Sequence, residues 1–238
     1  MRSRLAAMLS GFGFVFSLAA QDTPPEPDPG AGDYAALLAT VDGWIERHPM
    51  LVSRVELGTS VAGRPLFALR IGRQDDGAPE VYLGAGIHGH EHSEEDLLFM
   101  VDQLLLRRDD PDVARLLRAR TLWAQPLVNP DGMVARERKN AHGVDLNRNF
   151  PYKWKDLDGN YESGSKPASE PETKAVMKFL RTVKPRRILS FHQPLNGVDT
   201  DTKKPKFAKR VARALKLPAK SFDCGSVCHG TMTQWYNH

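Results

Sequence analysis

A chain of 238 residues can make one α/β domain or two small ones, and is long enough to bury a substantial core. Its composition is that of an ordinary soluble globular protein. The formal charge of +4 owes part of its excess to Arg2 and Arg4, and so slight a bias excludes an argument from charge for a nucleic-acid partner.

Residues 1–20 read as a signal peptide. Met1 to Arg4 is a short basic start, Leu5 to Leu18 is largely apolar, and Ser17-Leu18-Ala19 or Ala19-Ala20 offers a small-residue cleavage site. The apolar run falls short of the ~20 residues needed to span a bilayer, and it holds no Cys for lipid attachment. The expectation is an exported protein, periplasmic or secreted, without stable membrane insertion. Residues 21–32 (QDTPPEPDPGAG), rich in Pro and acid, read as an extended linker. Residues 33–238 read as the folded domain, and a monomer is expected.

Tyr34 to Arg47 has helical spacing, with Leu37, Leu38, Val41 and Trp44 on one side. Val52 to Ile71 reads as two strands around the turn Ala62-Gly63-Arg64-Pro65. Val81 to Ala85 is a continuous apolar run, as in a strand buried on both faces. Ser93 reads as the N-cap of a helix with Leu97, Leu98, Val101, Leu104 and Leu105 inward. Thr121 to Val128 reads as the next strand. Ser169-Glu170-Pro171-Glu172 reads as a capping box opening a helix through Val183. Arg187 to Phe191 is a strand ending at His192. Pro205 to Leu217 is a helix with Phe207, Val211 and Leu215 inward and a basic stripe (Lys206, Lys209, Arg210, Arg213, Lys216) that reads as a solvated face. Strands alternating with helices predict an α/β domain with a mixed, mostly parallel sheet flanked by helices. Sites in such sheets gather at the carboxyl ends of strands, where His88 and His192 both fall.

His88-Gly89-His90-Glu91 follows the Val81–Ile87 run. An imidazole and a carboxylate three residues apart at a strand end, joined by a His after a second strand, meet the needs of an open zinc site: three protein ligands and a fourth position for water. Each residue has a dull alternative when taken singly, and the joint pattern carries the weight. With Asn129-Pro-Asp-Gly132, Gly143-Val-Asp-Leu-Asn-Arg-Asn-Phe-Pro151 and Leu189-Ser-Phe-His192 in that order, the chain from about Asp33 to His238 resembles the M14 zinc metallocarboxypeptidases.

The resemblance implies that His88, Glu91 and His192 bind one Zn²⁺, that Arg138 meets the oxyanion, and that Asn147 and Arg148 grip the substrate's terminal carboxylate. A second positive donor beside the metal suits a tetrahedral oxyanion, and the guanidinium fork suits a carboxylate better than Lys would. His90 and His92 are too close to His88 in sequence to share its metal, and His90 stands where pancreatic-type carboxypeptidases carry Arg. Cys224 and Cys228, the only cysteines, read as a local disulfide. A second metal site with His229 is a poor rival.

The resemblance also implies a final strand ending in a general-base glutamate, roughly ten residues beyond Tyr236. No Glu follows Glu172, and Asp199, Asp201 and Asp223 stand at non-matching positions. The expectation is therefore a domain lacking its last strand and helix, inactive as it stands, as a C-terminally truncated peptidase rather than a zinc-binding pseudoenzyme. No tyrosine lies between Tyr161 and Tyr236 to cap the substrate, and Thr233 occupies the position of the digestive enzymes' specificity residue. His192-Gln193-Pro194-Leu195 and the export signal resemble most the bacterial branch that trims murein peptides at the γ-D-glutamyl–diaminopimelate bond. Two rivals stand beside it. One is an aspartoacylase-like zinc deacylase of N-acyl amino acids, disfavoured by Asn129-Pro-Asp-Gly132, Arg138-Lys-Asn140 and Ser169-Glu-Pro-Glu-Thr173. The other is a non-catalytic, zinc-dependent peptide-binding protein.

Overall fold

Alternation along the strands sorts the core onto the two faces of one sheet. In a computed structural model describing residues 28–73, 77, 79–222 and 228–238, five strands form a sheet of order β1-β2-β4-β3-β5. They are β1 (Val52–Thr59), β2 (Pro65–Gly72), β3 (Glu80–Gly84), β4 (Thr121–Gln125) and β5 (Arg187–Ser190). β2 is antiparallel to both β1 and β4, while β3 is parallel to β4 and to β5. All strands but β2 therefore run one way, as the mixed, mostly parallel expectation has it.

One face packs against α1 (Ala31–Arg47), α2 (Ser93–Leu106) and α3 (Pro111–Ala119). Phe67, Leu69, Ile71, Leu83, Leu122 and Ala124 meet Leu37, Val41, Trp44, Leu97, Val101, Leu105 and Leu117 there. The alternate residues Ala68, Tyr82 and Trp123 face the other way. They pack on α5 (Pro171–Val183) through Val176, Phe179 and Leu180, and on Leu146, Phe150 and Met232. Burial on both faces is why β3 and β4 read as unbroken apolar runs.

Several local expectations are corrected. α1 starts at Ala31 instead of Tyr34, because Gly30 is pressed against the short helix α4 (Pro130–Ala135) and donates its N–H to Val134 O at 2.8 Å. β4 stops at Gln125, since Pro126 follows and cannot donate to a ladder. Ser93 is not a cap: its Oγ accepts from Gly86 N at 3.0 Å, and His92 takes the N-cap place in the left-handed region. The capping box does not form, because Ser169 Oγ donates to Glu170 Oε1 and Glu172 Oε1 accepts from Val61 N instead. Leu215 lies outward at 58% exposure, and Ala208 and Ala212 fill the inner face of α6 (Pro205–Leu215). α6 flanks a small parallel pair, β6 (Val198–Asp199) and β7 (Ala219–Lys220), and the described chain ends in α7 (Met232–Asn237). Cys228 is disulfide-bonded, while Cys224 and residues 1–20 lie outside the described residues.

Candidate metal centre

Two adjacent parallel strands bring the candidate ligands together. Gly84 of β3 is in register with Ser190 of β5, and Phe191 N donates to Gly84 O at 2.8 Å. The chain leaving β3 supplies His88 and Glu91, and the chain leaving β5 supplies His192. Ligand atoms of these three residues all lie within 4.8 Å of one another, with His88 and Glu91 buried. The backbone between the first two needs glycine: a Cβ on Gly89 would stand 1.9 Å from the carbonyl carbon of Gly132 in α4.

His88 Nδ1 faces Glu91 Oε1 at 2.6 Å, and Glu91 Oε2 faces His192 Nδ1 at 3.0 Å. The far nitrogens are held as well. His88 Nε2 contacts Asp145 Oδ1 at 3.0 Å, and His192 Nε2 contacts Ser190 Oγ at 3.2 Å. Two inward Nδ1 atoms, one carboxylate and outer partners that fix each ring are the donor chemistry of a zinc site, so these residues fit the ion. Burial pushes the Glu91 carboxyl up, but hydrogen bonds to His192 and His88 outweigh it and hold the pKa at about 2. Burial likewise lowers the pKa of His88, and the bonds to Asp145 and Glu91 reverse the sign, leaving it raised.

Asp145 was not singled out by its sequence context, yet it joins two parts of the site. Its Oδ2 accepts from Arg138 Nε and Nη2 at 3.0 and 2.8 Å while Oδ1 faces His88. Burial opposes its charge, but the bond to His88 and the nearby cations prevail, and its pKa is lowered. Arg138 Nη1 lies 3.8 Å from Glu91 Oε1, so the structure brings Arg138 to the same corner.

Asn147 and Arg148 sit in a 3₁₀ turn, Leu146–Arg148, capped by Asp145, which accepts from Asn147 N at 2.9 Å. Gly230 clamps this turn. A Cβ there would stand 2.1 Å from Arg148 O, and Gly230 O accepts from Phe150 N at 2.9 Å. Asn147 Oδ1 accepts from Met232 N at 3.1 Å, the first residue of α7. Arg148 is only 8% exposed and has no ion-pair partner within 4 Å among the described residues. Its Nη1 donates to Asn147 O at 2.8 Å, and its guanidinium lies 4.9 Å from the ring centre of Tyr161. Arg138 lies 5.5 Å from the same ring. Tyr161, half exposed at 52%, is a second residue that the sequence did not reveal as part of the site. Burial pushes the Arg148 pKa down, with Asp145 acting against it.

His90 is exposed, its ring 6.5 Å from that of His88, and it does not join the ligand group. His92 turns instead toward Glu94 and Glu95, at 3.6 and 3.7 Å.

A His, Glu and His gathered at the carboxyl ends of parallel strands, with two arginines beside them, define a metallohydrolase-type centre. The family model for zinc carboxypeptidases (peptidase M14) matches residues 37–196, and the chain belongs to that family. Murein peptide amidase A of Escherichia coli K12 is 33% identical over 177 residues, covering 68% of this chain and 67% of that protein. Mast cell carboxypeptidase A of Rattus norvegicus is 30% identical over 173 residues, covering 63% of this chain. The chain spans 42% of the length of that carboxypeptidase. Among solved structures, a murein-tripeptide amidase of E. coli O157 superposes with TM-score 0.59 at 28% identity, covering 77% of each chain. Thrombin-activatable fibrinolysis inhibitor shares the fold at TM-score 0.73 and 22% identity, covering 85% of this chain and 62% of that one.

Proposed function

We propose that this domain hydrolyses a peptide bond next to a free carboxylate, with one zinc ion held by His88, Glu91 and His192, and that murein peptides are its substrates. The observation that carries the reading is the meeting of those three side chains beside a buried arginine with no ion-pair partner within 4 Å among the described residues. Bound zinc would polarise the scissile carbonyl and lower the pKa of a water. Arg138, oriented by Asp145, would face the developing oxyanion. Arg148 would receive the substrate carboxylate as a charge-assisted pair, replacing the missing counterion. The amide –NH₂ of Asn147, which has no acceptor among the described residues, would complete the grip.

The murein reading rests on Gln193-Pro194-Leu195 after the third ligand and on likeness to murein peptide amidase A over two-thirds of that protein. The basic start and apolar run of residues 1–20 support export, and no helix among the described residues is long and apolar enough to cross a membrane. Among those residues the acids touching the ligand group, Glu91 and Asp145, are both engaged, which supports slow turnover by a polypeptide of these residues alone.

Zinc stoichiometry and substrate choice test the proposal. The protein should take up about one zinc, keep it in His90→Ala and His92→Ala variants, and lose it in His192→Ala. Binding of murein tripeptide should exceed that of N-acyl amino acids and should vanish when the terminal carboxylate is amidated. Normal zinc content in His192→Ala would overturn the ligand set, and preference for the N-acyl amino acids would favour a deacylase.

A further inference from the structure

The start of α2 gathers a second group of donors, separate from His88, Glu91 and His192. His92 Nδ1 lies 3.6 Å from Glu94 Oε1 and 3.7 Å from Glu95 Oε1, and one ligand atom from each of the three lies within 4.8 Å of the others. These separations are too long for hydrogen bonds, which run ~2.7–3.2 Å. They are close to the ~3.3–3.6 Å edge of a tetrahedron whose centre stands ~2.0–2.2 Å from its corners, the bond lengths of zinc to imidazole and carboxylate. Acids in the first turn of a helix commonly serve its dipole from a solvated position. Glu94 does not. It is 2% exposed, and its Oε2 is sealed from solvent with no hydrogen-bond partner among the described residues. Neither Glu94 nor Glu95 has a Lys or Arg partner within 4 Å among those residues. A buried carboxylate oxygen left without a donor is costly unless a cation answers it.

We infer that His92, Glu94 and Glu95 form a second cation site, for a divalent transition metal such as Zn²⁺. One imidazole nitrogen with two carboxylate oxygens suits zinc, whereas Mg²⁺ and Ca²⁺ prefer shells of oxygen alone. His92 and Glu95 are exposed, which leaves a fourth position open to water. The backbone that carries the imidazole is already fixed. Gln193 Nε2 donates to His92 O at 3.4 Å and to Asp96 Oδ2 at 3.0 Å, which also keeps Asp96 out of the group. Two terms weaken the site. Ordering the exposed His92 and Glu95 side chains costs rotamer freedom, and the positive end of α2 opposes a cation. It therefore fills after the centre of His88, Glu91 and His192, with which it shares no residue.

The test is equilibrium dialysis against buffered free Zn²⁺, read as bound metal per chain. Wild-type protein should take one equivalent at low free zinc and a second as zinc is raised. His192→Ala should lose the first and keep the second, so failure of either site is seen separately. Glu94→Gln keeps the shape and removes the charge. It should move the second equivalent to at least about tenfold higher free zinc and leave the first in place. If that variant does not fold, His92→Asn serves, because Asn tolerates the left-handed backbone of this position. A wild-type curve that stops at one equivalent, or a second equivalent that these variants retain unshifted, would overturn the inference.

Discussion

Two clusters of charge are buried among the described residues, and they are wired differently. In the first, Asp131 takes Ser60 Oγ and Arg64 Nη1 on one oxygen, both at 2.8 Å, and Ala62 N on the other at 2.9 Å. Close by, Asn140 Nδ2 donates to Glu170 Oε2 and Glu172 Oε2 at 2.8 and 3.1 Å, and Glu172 Oε1 takes Val61 N. These acids are answered by backbone, hydroxyl, amide and guanidinium donors, and they staple the β1–β2 turn to α4 and α5. In the second cluster, His88, Glu91 and His192 point their candidate ligand atoms at one another, and Arg148 has no ion-pair partner within 4 Å among the described residues. A closed network stabilises the fold. One whose groups converge on a shared point, with charge left over, is built to receive something.

Exchanging roles between the clusters is the way to break this contrast. The largest effect is expected from a candidate metal ligand: His88→Ala should abolish stoichiometric zinc binding, measured by metal analysis after dialysis. Asp131→Ala should do the reverse, lowering unfolding free energy by about 3–5 kcal/mol in urea titration while the folded fraction still takes zinc. Asp145→Asn belongs to both descriptions and should weaken zinc about 10–100-fold by disturbing His88 and Arg138 together. An unchanged affinity would reduce Asp145 to a turn cap.

A pH titration sharpens the same contrast. Zinc needs neutral imidazole, and hydrogen bonds to Asp145 and Glu91, outweighing burial, hold the His88 pKa above 6.5. Proton competition should therefore set in above pH 6.5, with affinity falling as pH drops through that raised pKa. An onset only below pH 6.5 would refute the raised value. The smallest effect is expected from Tyr161→Leu, which removes an exposed cation–π contact worth ~0.5–1 kcal/mol and should weaken carboxylate binding a few-fold without touching zinc.

Legibility followed chain locality. His88, Glu91 and His192 could be read because each follows an apolar strand run, and strand ends of a parallel sheet are where sites lie. Asp145 was harder. Its partners are Arg138, seven residues away, and His88, fifty-seven away, and an Asp before a polar turn reads first as a local cap. The signal available was its place between Val144 and Leu146, which are both buried. The short helices α3 and α4 went unread because each opens on a Pro that also marks turns, though Asp110 and Asn129 cap them as Asx residues should. Ser93 and the Ser169 box failed for one reason. Each hydroxyl found a tertiary or neighbouring partner stronger than the helix end it was expected to serve.

The contact of Gly89 with Gly132 has a thermodynamic reading. Two residues without side chains lie backbone to backbone, so the loop between the first two ligands rests directly on the start of α4. That helix is itself fixed by Asn129 at its cap and by Asp131 in the closed network. The loop has little room to wander, and its conformational entropy is surrendered when the chain folds, before any ion arrives. Metal uptake would then proceed onto a surface that is already shaped, with a small ordering penalty. A bulkier residue at Gly89 would separate those two events and turn binding into a step that must also build its own site.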